Sequence, residues 1–325
     1  MALTEKLPAL GRDKDIIKTN INVSDSFKDY YSNSITANEL VVRIEKSVMI
    51  QRMLSKAKEI IDQDVKNYGF TKNDGLRVNL KTFSVLDYIK NVLESEQYNY
   101  KLKSDVLCAA DFGVPQKRMR FVMIGIKKDI CSDFEMPVGI LKPNEYHTVK
   151  DAIFDLENIP VINNVHEDIG TNIQQEPQLS DLARQLRNTN ILYNHIVTAT
   201  REAAQKRFDS LEQGQNFHNL SDDLKTNTYT DTKRTQNTIY LRLLYNQPSG
   251  TVVNVRKSMW IHPTKNRAVS IREAARLQSF PDNFKFIGTK DSQYQQVGNA
   301  VPPILAEAIA EHLANILKSE GENDG

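Results

Sequence analysis

Two arginines in the pentapeptide Gln116-Lys117-Arg118-Met119-Arg120 are the residues of this chain best placed to do chemistry. On the entry to a β-strand alternate residues share a face, so Arg118 and Arg120 are expected to present two guanidinium forks to one side. Paired forks hold a carboxylate, a phosphate or the edge of a base, while a pair of surface arginines is the bland use of the same residues. Thiol chemistry has less to work with. Cys108 follows Leu107 in an apolar run and Cys131 follows Ile130 in a loop, so both read as structural thiols. Two cysteines make neither a disulfide framework nor a Cys-rich zinc site, no metal is expected, and the usage suits a reducing compartment. The glycines before Gly113 are Gly11, Gly69 and Gly75, too scattered to build a phosphate or cofactor cradle.

Charge is segregated along the 325 residues although the net value is only +1. Asp151 to Ala183 holds seven acids and no Lys or Arg, while Lys233 to Arg272 holds eight bases and no acid. The basic stretch also contains Tyr240, Tyr245, Trp260 and His262, a composition that suits a polyanion surface, with Lys233, Arg234, Arg242, Arg256 and Lys257 as its expected phosphate contacts. The acidic stretch is expected to face solvent or a partner. No apolar run approaches the roughly 18 residues of a membrane span, and Met1 to Lys18 lacks the order of a secretory signal. These features predict a cytoplasmic protein with no membrane partner.

The elements that must position these residues can be read from periodicity. Residues 1 to about 35 are polar and unpatterned and are expected to form a loose arm. From Thr36 to about Lys66, apolar residues recur at three- and four-residue spacing, which predicts an amphipathic packing or docking helix. A second helix is expected over Phe83 to Glu94. The runs Asp105 to Ala110 and Arg120 to Ile126, separated by the turn-prone Asp111 to Pro115, read as strands at the edge of an α/β sheet. Residues 140 to 265 suggest a loop-rich domain with few long elements. Ser270, with Glu273 three residues later, predicts a capped helix to Gln278, and Pro302-Pro303 opens another to about Lys318.

Ala109 to Arg120 closely resembles the eighth conserved motif of the DNA (cytosine-5) methyltransferases, with its core Q-x-R-x-R. Arg272 to Asp282 resembles the ninth, Gln296 to Pro303 the tenth, and Gln247 to Val252 and Ile261-His262-Pro263 sit where the family has similar phrases. The resemblance runs from about Phe83 to Leu317 in the family's order. It implies an α/β fold, with a partial Rossmann-like methyltransferase sheet edge and a small loop-rich target recognition domain. The corresponding divisions are an arm and docking helix at 1–70, a catalytic part at 71–140, the recognition domain at 141–265, and a return to the catalytic domain at 266–325. It further implies S-adenosylmethionine as cofactor and double-stranded DNA as partner. Arg120 would hold a flipped cytosine, Gln116 and Arg118 would shape its pocket, and Asn299, Gly298 and Val301 would form the far wall of the cofactor site. Arg272, Glu273, Arg276 and Gln278 would tie the domains together.

Some of the family's chemistry is absent from the sequence. There is no Pro-Cys dipeptide for the nucleophile, no Glu-Asn-Val for the acid and no glycine-rich turn, and Asn73-Asp74-Gly75-Leu76 matches the second poorly. The chain therefore reads as the C-terminal half of such an enzyme. Three readings stay open: one subunit of a split methyltransferase of a restriction-modification system, inactive without a partner that carries the missing motifs; a DNA-binding protein or remnant without catalysis; and a scaffold.

Overall fold

The computed structural model describes residues 14–62, 67–72, 76–80, 84–173, 178–225 and 235–321. They fall into two compact units, residues 1–91 and 92–325. In the first, helices α1 (Lys14–Tyr31) and α2 (Ala37–Asp62) precede an antiparallel pair, β1 (Asn67–Lys72) with β2 (Leu76–Leu80). The arm expected over residues 1 to 35 is thus a helix from Lys14 on. Its Asn, Ser and Asp residues are weak helix formers, but α1 packs against α2 and Asp29 meets Arg43 at 2.9 Å; tertiary contact outweighs the local propensity. Helix α2 fulfils its periodicity only in part, burying Leu40 and Ala57 while Val41 and Val42 stay exposed. Helix α3 (Val85–Leu93) spans the division and has no buried residue.

The second unit opens with β3 (Tyr100–Cys108) and β4 (Met119–Lys127), antiparallel from Tyr100 opposite Lys127 to Cys108 opposite Met119. Between them a 3-10 turn, Ala109–Phe112, ends on Gly113 with φ of 96°, a left-handed conformation that only glycine adopts without strain. Helices α4 (Val149–Ile153), α5 (Asp181–Leu186), α6 (Glu202–Ser210), α7 (Asp222–Lys225) and α8 (Val255–Ser258) follow, with a small antiparallel pair, β5 (Thr171–Asn172) and β6 (Ile191–Leu192). None exceeds nine residues, as the mixed polar composition led one to expect. Helices α9 (Ile271–Leu277), α10 (Lys290–Asn299) and α11 (Pro303–Gly321) close the fold. Periodicity had not revealed α10, whose apolar positions are interrupted by glutamines.

One face of the β3–β4 pair is covered by α11. Leu107, Val122, Ile124 and Ile126 pack on Ile304, Leu305, Ile309, Leu313 and Ile316, the three-and-four spacing of one helix stripe laid on the alternate residues of a strand. The main core surrounds α9: Ile271, Ala274, Ala275 and Leu277 are enclosed by Val149, Ile153, Leu182, Ile196, Trp260, Tyr294 and Val297. This core draws on both sides of residue 265, while a second cluster around Phe208, Phe217 and Tyr240 lies within residues 204–261. The architecture is mixed α/β, with small antiparallel sheets among the described residues.

Candidate functional site

Gln116 and Arg118 lie at the foot of β4, and both are buried. The Gln116 side-chain amide donates to the Leu277 carbonyl at 3.1 Å and to Gln278 Oε1 at 2.9 Å, and its oxygen accepts from the Val252 amide at 2.7 Å. Gln278 in turn donates to the Val297 carbonyl at 2.8 Å. Arg118 donates to the carbonyls of Val252 at 2.6 Å, Gly298 at 2.9 Å and Ala300 at 3.2 Å. Backbone bonds from Lys117 to Ser249 and from Ser249 to Pro115 complete the join. Four segments distant in sequence thus meet at two side chains: the turn before β4, the strap 249–252, the end of α9 and the end of α10.

The expected pair of open forks is therefore half right. Arg118 is closed on the chain's own carbonyls and holds no ligand; a guanidinium has five donors, and enclosure by backbone acceptors leaves Arg118 none facing solvent. Arg120 is partly exposed, and among the described residues its one hydrogen bond goes to the adjacent Met119 carbonyl. Of the two arginines, Arg120 alone can meet a substrate.

Gly298 has a different use from the one expected. A methyl group on its α-carbon would lie 2.6 Å from the Val253 carbonyl carbon and 2.9 Å from the Asn254 nitrogen, so the glycine lets α10 touch the strap rather than a cofactor. Asn299 is exposed and accepts from Gln295 at 2.7 Å, and Val301 is exposed beside it. The close approach that Gly298 permits is thus filled by the chain's own backbone, while Asn299 and Val301 remain open to solvent at the end of α10.

Helix α9 buries all seven of its residues, charged ones included. Ser270 and Glu273 form the capping box read from the sequence. Arg276 donates to Asp155 at 2.7 and 3.0 Å and to Asp282 at 2.9 and 2.6 Å. Arg272 donates to the carbonyls of Tyr193, Pro281 and Phe284, and burial pulls its guanidinium down to about 10. Burial would push the Glu273 carboxyl up, but the Arg267 guanidinium, bound to it at 2.8 and 2.6 Å, holds it well below the usual carboxylate range.

Several charges counted toward a polyanion surface are spent internally. Arg242 is a correction: it is buried and donates to the carbonyls of Phe208, Leu211, His262 and Lys265, so loop closure and not phosphate occupies it. Nor does the acidic stretch simply face outward. Asp155 pairs with Arg276, and Glu157 accepts from Thr264 and Tyr245 and lies 3.7 Å from Lys265. Lys233 and Arg234 lie outside the described residues. Arg256, bound to Asp291 at 2.9 Å, and Lys257 are exposed. Both line an open cleft of about 880 Å³ with Arg201, Lys206, Tyr240 and Met259. Arg201 and Lys206 precede the acid-free stretch, where a count along the sequence could not find them.

His262 is fully buried and its pKa falls to about 4, through desolvation. Its Nε2 stands 3.6 Å from Glu273, and since the ring is neutral this contact is no ion pair. A depressed histidine pKa means that the unfolded chain binds the proton first. Stability is then fully present above about pH 6.5 and lost as pH falls toward 4, on the order of 3 kcal/mol for this group. His195, also depressed by burial, adds in the same direction. Urea midpoints of the wild type are expected to drop between pH 7 and 5, and those of His262→Gln to drop less; parallel curves would refute this assignment.

Comparison with known proteins agrees with the geometry. The family profile described as C-5 cytosine-specific DNA methylase matches residues 74–315. The type II methyltransferase M.DdeI of Desulfomicrobium norvegicum is 31% identical over 243 residues, covering 70% of this chain and 58% of its own length. M1.HphI of Haemophilus parahaemolyticus is 34% identical over 225 residues, 69% of this chain and 51% of its own. The chain thus spans about half the length of the curated relatives it matches. A solved E. coli protein, described as a DNA modification methyltransferase encoded within a prophage, superposes with a TM-score of 0.54 at 26% identity, covering 71% of this chain and 65% of that one.

Proposed function

From the premise that this chain belongs to the C-5 cytosine-specific DNA methylase family, we propose that it is the DNA-recognising and base-holding half of a cytosine-5 methyltransferase of a restriction-modification system, and that a second polypeptide supplies the rest. The observation that carries this reading is the contrast within one pentapeptide: Arg118 is locked into the fold while Arg120, two residues on, is left open at the foot of β4. A cytosine within the stack offers no access to its ring carbons, so the target base must leave the duplex. Arg120, preorganised on a strand, would hold it and favour negative charge developing on the ring. Gln116 and Arg118 are positioning residues; they fix the strap and the ends of α9 and α10 around that point. The cleft of Arg201, Lys206, Arg256 and Lys257 would take the phosphate backbone.

The family's methyl donor is S-adenosylmethionine; Asn299 and Val301, exposed at the end of α10, would form one wall of its site, and the second polypeptide would supply the rest. The nucleophile would come from that polypeptide too. Cys131 is buried and donates to the Asp133 carbonyl, and Cys108 sits within β3, so neither replaces the cysteine of the absent Pro-Cys. The test measures labelled methyl transferred to mixed-sequence DNA. The reactions contain this chain, the product of a neighbouring reading frame that carries Pro-Cys and Glu-Asn-Val, or both. Transfer by the mixture alone, abolished by Arg120→Ala with the melting curve unchanged, is expected. Duplex binding without transfer in any mixture would leave a DNA-binding protein.

A further inference from the structure

The β3–β4 pair has one face covered by α11 and another that is bare towards the Cys108–Met119 end, Leu102 at its far end being buried. Alternation puts Val106, Cys108, Met119, Phe121 and Met123 opposite the side that α11 covers, and Val106, Met119 and Phe121 are 51, 57 and 48% exposed. Val106 and Phe121 are cross-strand partners, so the exposed apolar groups adjoin. The edges are bare as well. The Ala109 amide donates to Arg118 and the Lys128 amide to Asn99, which fixes the parity of the ladder. By that parity Met119, Phe121, Met123 and Gly125 aim their N–H and C=O groups away from β3. No strand among the described residues pairs with them. The outer edge of β3 is less open, because the Leu102 amide donates to Glu94.

The geometry points to the outer edge of β4, with the bare face above it, as the docking surface for a β-strand of the second polypeptide. That partner would extend the pair into a larger sheet and cover Val106, Met119 and Phe121. Two observations choose this occupant. Apart from the Met119 carbonyl, which accepts from the Arg120 side chain, the outward backbone donors and acceptors of β4 have no strand partner among the described residues, and groups in strand register select another strand, since other surfaces cannot satisfy them along a row. The pair, packed on α11 but open at one edge and on one apolar surface, is built like part of a larger sheet, and the chain spans about half the length of the relatives it matches. Arg120 lies on β4 between Met119 and Phe121, so a strand added here places the partner beside the proposed base-holding arginine. The inference rests on the split-enzyme reading above but fails separately from it.

Met123→Pro removes one outward donor while sparing the inward ladder, and Phe121→Lys puts a charge on the bare face. Each full-length variant is mixed with the neighbouring-frame product used above. Association is followed by sedimentation, and amide hydrogen exchange is followed along β4. The expected result is at least tenfold weaker association for both variants, unchanged melting of the chain alone, and partner-dependent protection of the amides of Phe121 and Met123 in the wild type. Wild-type-like association of both folded variants would overturn the docking surface and leave the split enzyme standing. Association lost in the variants, with no methyl transfer by the wild-type pair, would support the surface and sink the enzyme. Protection arising from self-association of this chain, or no association at all, would overturn it.

Discussion

Replacing Arg276 by methionine is expected to destabilise the chain by about 3–5 kcal/mol, the range for deleting one member of a buried ion network. Burial opposes its charge, yet the carboxylates of Asp282 and Asp155 outweigh that and keep it protonated. Removing it strands two buried anions: Asp155 retains Arg187 at 3.7 Å, and Asp282 retains Arg272 at 3.9 Å. Both distances exceed hydrogen-bond reach. Urea unfolding of the full chain measures the loss. The triple variant Arg276→Met, Asp155→Asn, Asp282→Asn should recover part of it, because the penalty belongs to unpaired charge and not to the missing contact. A single variant within 1 kcal/mol of wild type would contradict the burial of the network.

Gly298→Ala is the second large effect. The atoms that its methyl would meet are backbone, Val253 C at 2.6 Å and O at 2.8 Å, so a helix or the strap must move. Overpacking of this kind costs about 1–3 kcal/mol. It also disturbs Arg118, which binds the carbonyls of Val252 and Gly298 at once. The variant should lose stability in urea and, in the complemented enzyme, at least tenfold in methyl transfer. Asn299→Ala, which gives up only the exposed contact with Gln295, should stay within about 0.5 kcal/mol of wild type. Full stability of Gly298→Ala with transfer lost would return the glycine to a ligand-binding role.

What the sequence disclosed and what it hid divide along the range of the interactions. The Ser270–Glu273 capping box and the proline opening of α11 are local, and both stand in the structure within a residue or two of their expected places. Gln116 and Arg118 could be singled out as a unit, but their acceptors lie 134 to 182 residues further on, beyond any periodicity. Arg242 and Arg256 look alike in a charge count; one is walled in by carbonyls and the other faces a cleft. The acidic stretch, expected to face solvent or a partner, is in part turned inward, with Glu157 near Lys265 of the basic stretch and Asp155 meeting Arg276 just beyond it. Helix α1 escaped notice because its packing against α2, and not its composition, stabilises it.

The join at Gln116 and Arg118 also bears on time. Closing loops of 134 to 182 residues is entropically slow, so these bonds belong late in folding, after α9 has its local cap. Interactions formed after the barrier leave the refolding rate alone and set the rate of opening. The two side chains that hold the β4 foot to the strap therefore govern how long the native molecule lasts, while the speed with which it first forms is decided elsewhere in the chain.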